Sequence, residues 1–302
     1  MKNYIKKELL KRRMDAENLA EENLAKAFSS PVFKKLFAEE KSLMINIAKE
    51  SVSGNKADNS ELEKITQQKI EELKKLGLSP SDITPQYQCK NCLDTGVCNG
   101  KECDCVKKLK SEYLLKKSGF TKIPHQFIEC FFGIFDDPDY VQSLYSKMQD
   151  WCIKGSKKNV IISGKTGLGK TFLLECMLSK LIEMNKFVVF TTAFDLSQNF
   201  LKYHTSPLLE KDKYIENYLN ADVLIIDDLG TEPVLKNVTE EYLYLILNQR
   251  MFENKPFLIS TNLEPSRILD RYGERIFSRL MNKRSTILLK MENSDLRLKR
   301  GI

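Results

Sequence analysis

Three groups of residues in this 302-residue chain have types and spacing that could do chemistry. The first is GKTGLGKT, Gly164 to Thr171, which fits G-x-x-x-x-G-K-[S/T]. Gly164, Gly167 and Gly169 let the backbone turn back on itself, so that amides from Gly164 through Lys165, Thr166, Gly167, Leu168 and Gly169 point inward. With the positive end of the helix that follows, such amides cradle phosphate oxygens. Lys170 adds a point charge at the β- and γ-phosphates, and Thr171 offers a hydroxyl to Mg²⁺. The second group is the carboxylate pair in VLIIDDLG, residues 223–230, which emerges where a buried strand ends. Asp227 stands where a metal-holding acid belongs, acting directly or through water. Asp228 would orient or deprotonate an attacking water. Asn262 closes the next strand in LISTN, and its amide could hold that water beside the γ-phosphate.

The third group is CKNCLDTGVCNGKECDC, residues 89–105, with five of the eight cysteines. Cys89 and Cys92 form C-x-x-C, Cys103 and Cys105 form C-x-C, and Gly96 and Gly100 let the chain fold back between the pairs. Four thiolates at about 2.3 Å from one ion make a closed tetrahedral Zn²⁺ site. A segment this small has little core, so metal binding would supply its folding energy. A redox dithiol, an iron–sulfur cluster and no metal at all are the alternatives; CKNC lacks the strand and helix of a thioredoxin-like motif. Cys98 could replace Cys103 or Cys105 as a ligand or stay a free thiol. Cys130, Cys152 and Cys176 are scattered and are expected to be buried fillers.

The elements that must position these residues divide the chain in two. Residues 1–118 read as a small helical domain carrying the cysteine knuckle: residues 1–50 are rich in Leu, Ala, Glu and Lys with a break at Ser29–Pro31, and a linker follows over 51–59. Ser60 and Glu63 form a capping box opening a helix with Leu62, Ile65, Ile70, Leu73 and Leu76 on one side. Gly77 and Pro80 end it. From about residue 119, continuously apolar runs (NVIIS, KFVVFTT, DVLIIDD, PFLISTN, STILLK) alternate with helical segments. That pattern predicts a parallel five-stranded α/β sheet buried on both faces, over residues 119–302. The net charge of +7 fits contact with nucleic acid, although many soluble enzymes share it. The N-terminus is too charged for a signal peptide, and FVVF and VLII are too short to span a bilayer. The chain is therefore read as cytoplasmic, where thiols stay reduced, which turns the cysteine cluster toward metal.

The order P-loop, IIDD, STN and then ERIFSRL (274–280) resembles the AAA+ ATPase core, and specifically the bacterial replicative helicase loaders of the DnaC/DnaI type, relatives of DnaA. The resemblance implies an ATPase that binds ATP and Mg²⁺, turns over slowly alone and is stimulated by partners. It implies a loader that grips the replicative helicase through residues 1–118 and delivers it onto single-stranded DNA. It makes Arg279 an arginine finger given to the nucleotide of a neighbouring copy, with Arg275 as companion, and Arg297 a second sensor. Only twelve residues follow STILLK, too few for the full helical lid of the superfamily. The segment Phe194 to His204 occupies the place of a DNA-contacting helix, with Phe194, Lys202 and Tyr203 as contacts. The cysteine knuckle matches the loaders' helicase-binding region. The alternative within the same core is the IstB type of transposition regulator, which has no need of a knuckle. A different class is an adaptor that uses nucleotide only to set its shape; the full set of Asp227, Asp228, Asn262 and Arg279 argues against it.

Overall fold

In the computed structural model the chain forms two compact units, Met1–Leu109 and Lys110–Ile302; the structure describes residues 1–52, 60–120, 122 and 124–292. Three helices open the first unit: α1 (Lys2–Ala27), α2 (Pro31–Val52) and α3 (Ser60–Lys75). The break before α2 is made by its own sequence. The Ser30 hydroxyl accepts from the Phe33 amide at 3.3 Å, and Pro31 needs no amide partner at the first helical position. The same hydroxyl donates to the Glu72 carboxylate of α3 at 2.7 Å, tying the two helices. α3 ends as expected: Gly77 has φ 71°, its amide donates to Lys74 O, and the Leu78 amide donates to Leu73 O. That is the Schellman arrangement, and its apolar partners Leu73 and Leu78 are both buried, with Phe33 and Ala27.

The cysteine segment follows as a hairpin, β1 (Val97–Cys98) against β2 (Lys101–Glu102), turning at Asn99 and Gly100, whose φ values are 50° and 72°. Two successive positive φ angles are what a two-residue type I′ turn requires, and Asn-Gly is the sequence that accepts them. α4 (Asp104–Lys117) starts directly after it and runs through the boundary between the units. That boundary lies upstream of the change of texture at residue 119.

The second unit alternates strand and helix: α5 (Pro138–Lys154), β3 (Asn159–Ser163), α6 (Lys170–Glu183), β4 (Val188–Thr192), α7 (Ala193–Thr205), α8 (Glu216–Asn220), β5 (Val223–Leu229), α9 (Thr239–Phe252), β6 (Phe257–Thr261), α10 (Pro265–Leu280) and β7 (Thr286–Lys290). The five strands form one parallel sheet in the order β4-β5-β6-β3-β7. Alternate residues feed two cores. Val160, Ile162 and Ile225 face α5 and α6, whereas Ile161, Leu224, Ile226 and Ile259 face α7, α9 and α10. This is a parallel α/β sheet buried on both faces, and it is why the strands read as unbroken apolar runs. Because β6 lies between β3 and β5, the C-terminal ends of the three bring the phosphate loop, the paired carboxylates and Asn262 to one edge. The segment ERIFSRL, residues 274–280, is the second half of α10, set off by Gly273 at φ 73° and ψ 170°, a conformation only glycine takes readily.

Candidate functional site

The phosphate loop leaves β3 through Gly164, where a side chain cannot fit: a Cβ there would stand 2.4 Å from the Met291 carbonyl oxygen. Gly167 and Gly169 have φ of 79° and 83°, and α6 begins at Lys170. The Lys170 side chain is buried and donates to Gly164 O at 2.8 Å, Lys165 O at 2.6 Å and Asn262 Oδ1 at 2.5 Å. Asn262, although exposed, is therefore in direct contact with the loop's cation.

Thr171 Oγ1 donates to the Asp227 carboxylate, 2.9 Å from Oδ2 and 3.2 Å from Oδ1. A hydroxyl and a carboxylate oxygen this close are the hard oxygen donors that Mg²⁺ takes, so the pair fits the ion. Burial raises the Asp227 carboxyl above the usual range, opposed by the hydrogen bonds from Ser260 and Thr171. Mg²⁺ bound there would offset that burial and hold the carboxylate ionised. Asp228 sits at φ 55°, in a break of register where β5 passes from Ile226 to Leu229 against β6. Asp228 lines the same cavity as the phosphate loop, whereas Asp227 accepts from Thr171 and Ser260.

One residue at this centre has no counterpart in the sequence reading. Ser260 is completely buried; its hydroxyl donates to Asp227 Oδ1 at 2.5 Å and accepts from the Asp228 amide at 2.8 Å. It fixes both acids at once. A second unanticipated feature is the wall of the cavity, about 290 Å³, that contains the phosphate loop, Asp228 and Asn262. Cys130, Phe131, Phe132, Ile134, Phe135 and Tyr145 form its far side. A phosphate-binding loop opening onto aromatic and aliphatic side chains can hold a molecule with a charged tail and a planar apolar head. Cys130 is therefore a cavity residue, 4.0 Å from the Cys176 sulfur, whereas Cys152 and Cys176 are buried as expected.

Arg279 does not line this cavity. It lies near the end of α10, donating to Asn248 Oδ1 at 3.1 and 3.2 Å, Tyr244 OH at 3.0 Å and Arg275 O at 3.3 Å. Arg297 lies outside the described residues. On α7, Phe194 and Lys202 are exposed, Phe200 is core, and Tyr203 packs edge-on against Tyr242 at 4.9 Å. Lys202 shares a polar cavity with Lys117, Lys213, Asn199 and Tyr214.

In the first unit Cys89, Cys92, Cys103 and Cys105 bring their sulfur atoms within 4.8 Å of one another. Cys89 and Cys103 are 3.7 Å apart, and Cys92 and Cys105 are 3.4 Å apart. Four sulfurs at tetrahedral Zn–S distances would be about 3.8 Å apart, so the group fits Zn²⁺ without rearrangement of the chain. Backbone amides support it: Gly96 donates to Cys92 Sγ at 3.4 Å, and amide donation led by Cys92 holds the Cys89 thiol down to about 7. Buried Asp94 accepts from the amides of Gln88 and Cys89 at 2.8 and 3.0 Å, bracing the first ligand. Cys98 stands in the hairpin, outside the group of four.

Residues 145–285 match the family profile of the bacterial DnaA ATPase domain. The protein YqaM of Bacillus subtilis is 30% identical over 56% of this chain and 56% of its own length. The chromosomal replication initiator DnaA of Campylobacter jejuni is 37% identical over 40% of this chain and 26% of its own length. The chain thus spans about half of the first relative and about a quarter of the second. Among solved structures, the DnaC helicase loader is similar with 20% identity and a TM-score of 0.43, over 60% of this chain and 99% of that one. Among the described residues, no helix is long and apolar enough to cross a membrane. With its phosphate loop, carboxylate pair and strand-end asparagine at one sheet edge, the larger unit is similar over residues 145–285 to the bacterial DnaA ATPase domain.

Proposed function

We propose that the chain is an ATP-dependent loader that binds a replicative DNA helicase and delivers it onto single-stranded DNA. The observation that carries this reading is a DnaA-type hydrolysis set on one unit joined to a cysteine tetrad on another. In the larger unit Lys170 binds the β- and γ-phosphates; Thr171 and Asp227 would hold Mg²⁺, which would screen the charge of the phosphates. Asp228 accepts the proton of the attacking water, and Asn262 orients it. Arg279 lies outside its own chain's cavity and reaches the nucleotide of an adjoining copy, so turnover is slow for a single chain and rises on assembly. The aromatic wall takes the adenine.

Cys89, Cys92, Cys103 and Cys105 would hold Zn²⁺, whose binding would supply the folding energy of the knuckle, and residues 1–118 grip the helicase. Lys117, Lys202 and Lys213 around one polar cavity support contact of the ATPase unit with the phosphates of single-stranded DNA. The test is the size of the purified chain mixed with the replicative helicase of the same organism, with and without an ATP analogue, and zinc analysis of the same sample. A complex that depends on nucleotide and one zinc per chain is expected. No association in either state would remove the loader reading.

A further inference from the structure

Two arginines on α10 share one tyrosine on α9. The guanidinium carbon of Arg275 lies 4.0 Å from the centroid of the Tyr244 ring, and that of Arg279 lies 4.7 Å from it. Residues 244 and 248, and 275 and 279, are each four apart, so each pair occupies one helical face, and the two faces meet. Every oxygen that Arg279 reaches is neutral: the Tyr244 hydroxyl, the Asn248 amide and the Arg275 carbonyl. Among the described residues, no carboxylate lies within ion-pair distance of Arg275 or Arg279. A surface arginine held only for stability is ordinarily paired with an acid or left to move in solvent. This one is aimed by four neutral hydrogen bonds and an aromatic face, and its full positive charge stays uncompensated. Such an arrangement restricts the side chain's rotamers while reserving its charge for an incoming anion.

We infer that Tyr244, helped by Asn248, is a positioning residue: it pre-aims Arg279 at the triphosphate held by an adjoining copy. Tyr244 touches neither the nucleotide nor the reacting atoms; it acts by removing the cost of ordering the guanidinium during the reaction. The inference rests on the reading of Arg279 as a finger supplied in trans, and the experiment separates the two.

Full-length chains are mixed in pairs and ATP turnover is followed with single-stranded DNA present. The acceptor is Arg279→Ala, with an intact cavity and no finger. The donor is Lys170→Ala, with an intact finger and a cavity that cannot hold triphosphate. Each alone is expected to be near background, and the equimolar mixture to recover activity. With Tyr244→Leu added to the donor, the recovered kcat is expected to fall about tenfold, from the loss of one hydrogen bond to a charged group and one ring contact. KM for ATP is expected to stay unchanged, because the acceptor's cavity is untouched. A Tyr244→Phe donor, which keeps the ring, should retain the larger share of the recovery. Melting of each donor alone guards against misfolding. If the Lys170→Ala donor does not rescue, the trans reading fails and the inference falls with it. If it rescues and the Tyr244→Leu donor rescues equally, or raises KM with kcat unchanged, the trans reading stands and the positioning role is refuted.

Discussion

Replacing Ser260 with alanine removes a single oxygen from the middle of β6, and the structure allows its effect to be worked out. That oxygen is fully buried and serves two partners, the Asp227 carboxylate and the Asp228 amide. Losing a hydrogen bond to a charged acceptor costs about 1.5–3 kcal/mol, and leaving the amide without an acceptor costs about 1–3 kcal/mol. Thr171 remains to support Asp227, so a net loss of about 2–4 kcal/mol is expected. For a unit of this size that lowers Tm by roughly 6–12 °C. Function shifts with pH as well. The Asp227 carboxyl is already raised by burial, so the folded chain holds that proton more tightly than the unfolded one. The stability it contributes is full below the unfolded carboxylate range and is lost as pH rises through the folded value. Mg²⁺ competes with the same proton, so the apparent Mg²⁺ affinity rises with pH over that window. Ser260→Ala moves the window upward, because one of the bonds that favour the carboxylate is gone. Calorimetric melting, with ATP turnover against Mg²⁺ concentration at several pH values, reads both effects. An unchanged Tm together with an unchanged Mg²⁺ profile would refute the reasoning.

Three other substitutions probe separate parts. Gly164→Ala should abolish tight nucleotide binding, measured with a fluorescent ATP analogue, because its Cβ would collide with the Met291 backbone rather than with a movable side chain. Cys103→Ser should take the zinc content from one per chain to near zero and unfold the knuckle, seen as rapid amide exchange over residues 88–103, whereas Cys98→Ser should leave both unchanged. Arg250→Met should cost about 3–5 kcal/mol in urea unfolding. Its buried guanidinium, held down to about 10 by burial, donates to the carbonyls of Tyr218, Ala221 and Pro256; all three would lose this donor, Pro256 keeping the Leu224 amide at 3.3 Å.

The parts of the site that follow short-range rules could be read from the chain itself. GKTGLGKT carries its own backbone requirements, and VLIIDD and LISTN announce buried strands that end in polar groups. Those residues meet at one edge because a parallel sheet aligns its strand ends, which the alternation of runs already implied. Ser260 gave no such signal, since a serine in a buried strand reads as a small filler until its partners on β5 are known. The aromatic wall was equally silent: Phe127–Glu129 and Phe132–Ile134 are single 3₁₀ turns, too short for any periodicity. The exclusion of Cys98 could have been read, because CNGK places an Asn-Gly turn immediately after it and commits it to a hairpin strand. Gly273 was visible as a residue, but its break in α10 depends on a ψ of 170° that no local pattern specifies. The contact of Tyr244 with Arg275 and Arg279 joins positions about thirty residues apart and arises only from the packing of α9 on α10.

Turnover per chain, measured across a wide range of chain concentration with saturating Mg²⁺, ATP and single-stranded DNA, tests the central claim most directly. A site completed by the Arg279 of a second copy predicts a rate that climbs steeply with concentration and then levels off, with Arg279→Ala flat at the dilute value throughout. A wild-type rate per chain that is already maximal at the lowest concentration would contradict the account.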